Sequence, residues 1–104
     1  MGKNPPHKWH FQFTPAAFTA FQSMQPGHKR SLLHSLRQLV NADDPYTLPF
    51  VEMLQAERFH RLRKFRVGPY RVFFAVRREE IIHEKHPYRG VVVIVDIRSR
   101  REAY

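Results

Sequence analysis

Val91-Val-Val-Ile-Val-Asp-Ile97 is a run of five β-formers, one acid and a sixth β-former. Branched side chains this dense belong in a strand set inside a sheet and covered on both faces. The chain leaves that strand through Arg98-Ser-Arg-Arg-Glu-Ala-Tyr104, which carries three guanidinium groups and a closing phenol. Guanidinium groups on a rigid base grip phosphate through two parallel hydrogen bonds. A phenol beside them stacks on a base or moves a proton. Together they point to nucleic acid as the partner, and to cleavage of it as one option.

Upstream of this strand the pattern is again β. Gly68-Pro69 separates Arg58–Val67 from Tyr70–Arg77, so these two segments are expected to pair as a hairpin. Arg78–Gly90 is charged, holds Pro87 and Gly90, and reads as a long loop or hairpin tip. Asp43-Asp44-Pro45 stops a preceding helix, and Tyr46–Glu57 reads as a connector with a short turn of structure near Val51–Leu54. His28–Asn41 is predicted helical, with Leu32, Leu33, Leu36, Leu39 and Val40 forming an apolar stripe. Thr14-Pro15 supplies an N-cap and a first-turn proline for an earlier helix over Ala16–Met24, with Ala17, Phe18 and Phe21 on one side. Gln25-Pro26-Gly27 ends it, and so short a link predicts an antiparallel helix hairpin. Trp9-His-Phe-Gln-Phe13 alternates as a half-buried strand. The order is β-α-α-β-β-β: an α+β fold, with an antiparallel-rich sheet and the helix hairpin on one face.

Alternation assigns the two faces of the sheet. Tyr70, Val72, Phe74 and Val76 are expected to face the helices, as are Phe65 and Val67. In the last strand Val91, Val93, Val95 and Ile97 are expected on that side too. Arg71, Phe73, Ala75 and Arg77 face away, with Lys64, Arg66, Val92, Ile94, Asp96 and Arg98. Leu62 then falls outward while Arg61 and Arg63 fall inward, which implies either a bulge near Arg63 or a strand that begins later than Phe59. The open face gathers Lys64, Arg66, Arg71 and Arg98. Phe73 there either stacks on a base or packs, and Asp96 reads as the salt-bridge partner of Arg98.

Bulk properties agree. The net charge is +9, and it is uneven: residues 1–52 hold five Lys/Arg and three acids (+2), residues 53–104 thirteen and six (+7). Eight basic residues and no acid lie between Arg58 and Arg78. That field suits a polyanion such as RNA, DNA or a ribosomal surface, and would also draw an acidic protein. A chain of 104 residues is expected to form one domain, 1–104, with residues 1–8 flexible. No apolar run approaches the roughly 20 residues that span a bilayer. No secretory signal is visible. The chain has no cysteine, which excludes disulfides and thiolate metal sites and fits a cytoplasmic location. His7-x-x-His10 and His83-x-x-His86 have metal-like spacings without accompanying cysteines, and no metal or cofactor is expected.

Lys64-Phe-Arg-Val-Gly-Pro-Tyr-Arg71 and Arg98-Ser-Arg-Arg-Glu-Ala-Tyr104 resemble two segments of the RelE/ParE family of type II toxin–antitoxin toxins. The former is similar to the family's basic strand, turn and Tyr-Arg pair. The latter is similar to the ending of its RelE branch of mRNA interferases. The resemblance implies a RelE-like fold and a toxin that acts as a metal-independent endoribonuclease on mRNA, typically at the ribosome. Its partners would be a cognate antitoxin, mRNA and the ribosome, with a toxin–antitoxin heterotetramer as one assembly. By matched position, Lys64 would be the base or charge stabiliser, and Arg71 would hold the scissile phosphate. Arg98 would stabilise or protonate the leaving group, and Tyr104 would stack on or orient the nucleotide. Arg66, Phe73, Arg100 and Arg101 would support RNA binding. Lysine and tyrosine ordinarily titrate near pH 10, so either acts as a base only if the cations lower its pKa. The family's other lysine, two residues before Lys64, is replaced by Leu62. Tyr104 closes the sequence, where many relatives continue into a helix. The alternatives are a ParE-like, non-enzymatic gyrase inhibitor and a degenerate member that binds only RNA or antitoxin.

Overall fold

The computed structural model describes residues 8–54 and 61–99. β7 (Val91–Ser99) lies between two neighbours, with β1 (His10–Phe13) parallel on one side and β4 (Tyr70–Arg77) antiparallel on the other. β4 pairs with β3 (Leu62–Val67), and β3 with a two-residue edge strand, β2 (Glu52–Met53), giving the order β1-β7-β4-β3-β2. The Val91–Ile97 run occupies the interior place expected for it, but it is not covered on both faces: Val92, Ile94 and Ile97 are buried, while Val93 and Val95 are only partly so. The connector reading of Tyr46–Glu57 missed β2, because a strand of two residues is too short to show an alternation.

Two helices cover one face. α1 (Pro15–Ser23) starts at Pro15, with the Thr14 hydroxyl accepting from the Ala17 amide at 3.2 Å. α2 (Pro26–Asn41) begins two residues before the expected His28, since Pro26 takes the first helical position instead of only ending α1. Leu32, Leu36 and Leu39 are buried among Ala17, Phe65, Val72, Phe74, Val92 and Ile94. Leu33 and Phe18 lie off that stripe and are exposed. Between Asp44 and β2, a short 3-10 turn (Pro45–Thr47) seats Tyr46 against Phe74. The Tyr46 hydroxyl donates to the Arg61 carbonyl and accepts from the Val76 amide at 3.0 Å, so one side chain joins the start of β3 to β4. At the β3–β4 turn Gly68 has φ +55°, and a Cβ there would stand 2.8 Å from the His28 ring.

Residues 78–90, expected as a loop or hairpin tip, form a separate hairpin of β5 (Ile81–His83) and β6 (His86–Tyr88). Its two-residue turn puts Glu84 and Lys85 at φ 48° and 69°, the left-handed geometry that matches strand twist.

The facing of β7 is the main correction. Val92 and Ile94 are fully buried opposite Val76 and Phe74, so they face the helices, not the open side. Val91 and Val93 pair with Arg77 and Ala75 on the open face. The register then shifts: Phe74 faces Ile94 but Phe73 faces Asp96, which leaves Val95 as an extra residue. The bulge lies at Val95; the β3–β4 register runs unbroken, and β3 begins at Leu62, later than Phe59. Energetics explains it. Uninterrupted alternation after Ile94 would turn Asp96 and Arg98 into the core and Ile97 out. Burying an ion costs several kcal/mol, and exposing an isoleucine forfeits roughly 1.5–3 kcal/mol. One extra residue buries Ile97 and returns both charges to solvent.

Candidate nucleic-acid interface

Three strands set the open face. Cross-strand pairing aligns Arg66, Arg71 and Arg98 in one row over β3, β4 and β7. Neighbouring strands lie about 5 Å apart, so the three arginine backbones fall within about 10 Å. One pleat further on, Glu52, Lys64, Phe73 and Asp96 form another row over β2, β3, β4 and β7. Lys64, Arg66, Arg71 and Arg98 against Glu52 and Asp96 leave +2 on this patch (four cations less two anions).

The anions hold the cations in place. Arg98 Nε lies 2.7 Å from Asp96 Oδ2, and Asp96 Oδ1 accepts from the Ile97 amide at 2.9 Å. Arg66 Nε is 3.7 Å from Glu52 Oε2. These pairs are solvent-accessible, and such bridges are worth at most about 1 kcal/mol. A phosphate can therefore displace or share them at small cost.

Beside the arginine row a cleft of ≈ 290 Å³ is lined by Leu54, Leu62, Phe73, Val95, Asp96 and Arg98. Leu62, which replaces the second lysine of the pattern the sequence resembles, is one of its walls. Phe73 lies partly buried in the cleft, so it has a packing role and a reachable surface at once.

The structure thus brings together Lys64, Arg66, Arg71, Phe73 and Arg98 as expected. Arg100, Arg101 and Tyr104 lie outside the described residues. Sequence reasoning missed Glu52, Leu54 and Val95. For Val95 a signal existed: Ile94 and Ile97 are three apart, an odd spacing for two core residues of one strand.

At the β1 edge of this sheet the His10 ring meets that of His83 from the β5–β6 hairpin, 4.4 Å between centroids. Burial, then the His83 charge, pushes the His10 pKa below its usual value against a smaller opposing pull from Glu84. Among the described residues no three His, Cys, Asp or Glu side chains converge as metal ligands, and no helix is long and apolar enough to cross a membrane.

No family model matches the sequence, and no curated protein matches it either. Solved structures do. The archaeal RelE–RelB complex from Pyrococcus horikoshii contains a chain that superposes with TM-score 0.61 at 22% identity, over 89% of this chain and 96% of that one. This is the RelE fold. The toxin–antitoxin complex RelBE2 from Mycobacterium tuberculosis matches with TM-score 0.52 at 20% identity, over 89% of this chain and 99% of that one. The RelE fold here carries its arginine row on the sheet face that the helices leave open.

Proposed function

We propose that this chain is the toxin of a toxin–antitoxin pair and an endoribonuclease that cuts mRNA, with the ribosome as the place of cutting. The observation that carries this reading is the Arg66–Arg71–Arg98 row with Lys64 beside it, on the open face of a RelE fold. The fold neighbours are toxin–antitoxin complexes, which supports a protein antitoxin as the partner.

The chemistry such a surface can perform is in-line attack by a ribose 2′-oxygen on the adjacent phosphorus. The 2′-hydroxyl gives its proton to a base, the 2′-O–P bond forms, and the P–O5′ bond breaks. The departing O5′ takes a proton, leaving a 2′,3′-cyclic phosphate and a 5′-hydroxyl. Lys64 is assigned to the 2′-hydroxyl, as base or as charge stabiliser. Arg71 holds the scissile phosphate and Arg98 serves the leaving oxygen. Arg66 adds positive charge, and Tyr104 orients the nucleotide. Cations fixed by a sheet before substrate arrives need little reorganisation as charge builds on the phosphorane oxygens.

The test is product chemistry. Purified protein is incubated with mRNA, with and without ribosomes, and the new ends are mapped. Cleavage with 2′,3′-cyclic ends, blocked by a 2′-deoxy substitution at the cut site, is expected. Intact RNA together with inhibited gyrase supercoiling would replace this reading with the gyrase-directed one.

A further inference from the structure

We propose that the cleft over β3, β4 and β7 on the open face is a nucleobase pocket that selects bases bearing an amino group over uracil. This rests on the reading of the open face as an RNA surface. The cleft and the arginine row share Arg98, so a strand whose phosphates lie on Arg66, Arg71 and Arg98 has its bases within reach of the cleft. Charge complementarity selects the polyanion, and the lining selects the part of it that enters. Leu54, Leu62 and Val95 offer apolar walls, and Phe73 offers a ring, surfaces that suit the π-face of a base and not a hydrated phosphate. A volume of ≈ 290 Å³ stands near the lower bound of small-ligand pockets, about 300 Å³, which fits a planar heterocycle.

Selectivity comes from Asp96. The carboxylate has about four acceptor sites, and the bonds from Arg98 and from the Ile97 amide occupy two. The side chain keeps 30% of its surface exposed, so the remaining acceptors can be reached from the cleft. Adenine, cytosine and guanine each present an amino donor to such an acceptor. Uracil presents one N–H between two carbonyl oxygens, which the carboxylate repels. Leu62 matters for the same reason: a lysine there would place an ammonium at the cleft and compete with the base for Asp96.

Four 2′-O-methyl trinucleotides that differ only in the central base, none of them cleavable by 2′-oxygen attack, separate base recognition from chemistry. Binding is followed by the amide and methyl spectra of the intact protein. The expected result is that A, C and G centres bind about tenfold more tightly than U, the size of one good base contact. The methyls of Leu54, Leu62 and Val95 should shift. Asp96→Asn should bring the preference within about twofold. Leu62→Trp should fill the cleft and leave all four binding like the uracil trimer. Equal wild-type affinity for all four, or an undiminished preference in Asp96→Asn and Leu62→Trp, overturns the pocket while leaving RNA binding intact. If no trinucleotide binds, the RNA reading itself fails.

Discussion

The hydroxyl of Thr14 donates to the carbonyl of Val95 at 2.6 Å. Val95 is the bulged residue of β7, without a partner in the β4 register. The same hydroxyl oxygen accepts from the Ala17 amide, and the Thr14 amide donates to Ile94 at 3.0 Å. One threonine therefore caps α1, ends β1 and fastens the bulge that turns Asp96 and Arg98 outward.

Substitutions at Thr14 can separate these duties. Thr14→Ser keeps both the donor and the cap, and should stay within about 0.5 kcal/mol of wild type. Thr14→Asp keeps an N-cap acceptor but sets a carboxylate against the Val95 carbonyl. It should lose about 1–3 kcal/mol, the cost of an unmade buried hydrogen bond, and cut RNA at least tenfold more slowly as Arg98 shifts. Urea midpoints and initial cleavage rates read the two effects. Equal behaviour of the two variants would deny Thr14 this role.

Tyr46 is tied in a comparable way. Tyr46→Phe leaves the Arg61 carbonyl and the Val76 amide without their shared partner. A loss of about 1–2 kcal/mol is expected, measured as a shift in urea midpoint with unchanged slope. Amide exchange at Val76 should accelerate.

Asp44 sets an acid limit. Burial alone would raise its pKa. The hydrogen bond from Arg78, the bond from the Tyr46 amide, and the charges of Arg78 and Arg63 outweigh that and hold it below the ordinary 3.8. A carboxylate depressed in the folded state adds stability above its unfolded value, and that stability is lost as pH falls through the folded one. The stability gap between wild type and Asp44→Asn should be constant from pH 7 to about 5 and should close below 3.8. A gap unchanged at pH 2.5 would contradict the ion pair with Arg78.

His10 should respond at milder pH. Its pKa is lowered first by burial and then by His83, so its stabilising contribution is present above 6.5 and declines as pH falls through the lower folded value. His83→Gln should move the His10 titration upward, as read from ring-proton shifts. An unmoved titration would show that the 4.4 Å approach has no electrostatic effect.

Salt dependence tests the proposed phosphate contacts. Single-strand binding loses a slope of about 0.7 in log–log salt plots for each phosphate-contacting cation removed. Arg66→Ala, Arg71→Ala and Arg98→Ala should each flatten the plot by about that amount. Arg30→Ala, on α2, should leave it unchanged.

Much of the fold was legible because its signals are strong and local. Thr14-Pro15 marks a helix start, the leucines of α2 recur at helical spacing, and Gly68-Pro69 marks a tight turn. Lys64, Arg66, Arg71, Phe73 and Arg98 were placed on one face by strand alternation, and all five are there. For Arg98 the face was right although the phase of its strand was wrong. Unbroken alternation through β7 gives the wrong phase up to Ile94, and the bulge at Val95 restores the right one for the residues beyond it. The partnership of Thr14 with Val95 spans 81 positions and has no local signature. β2 eluded the reading because an edge strand of two residues owes its pairing to β3 and not to its own sequence.

The most direct test of the proposed cleavage site is the single-turnover rate of RNA cutting by wild type and by an Arg71→Ala, Arg98→Ala double variant with a wild-type amide spectrum. We predict a loss of at least about a hundredfold, the scale of removing a fixed charge-stabilising donor, with the fold intact. Cleavage at the wild-type rate would contradict the assignment of the reaction to the open face of β4 and β7.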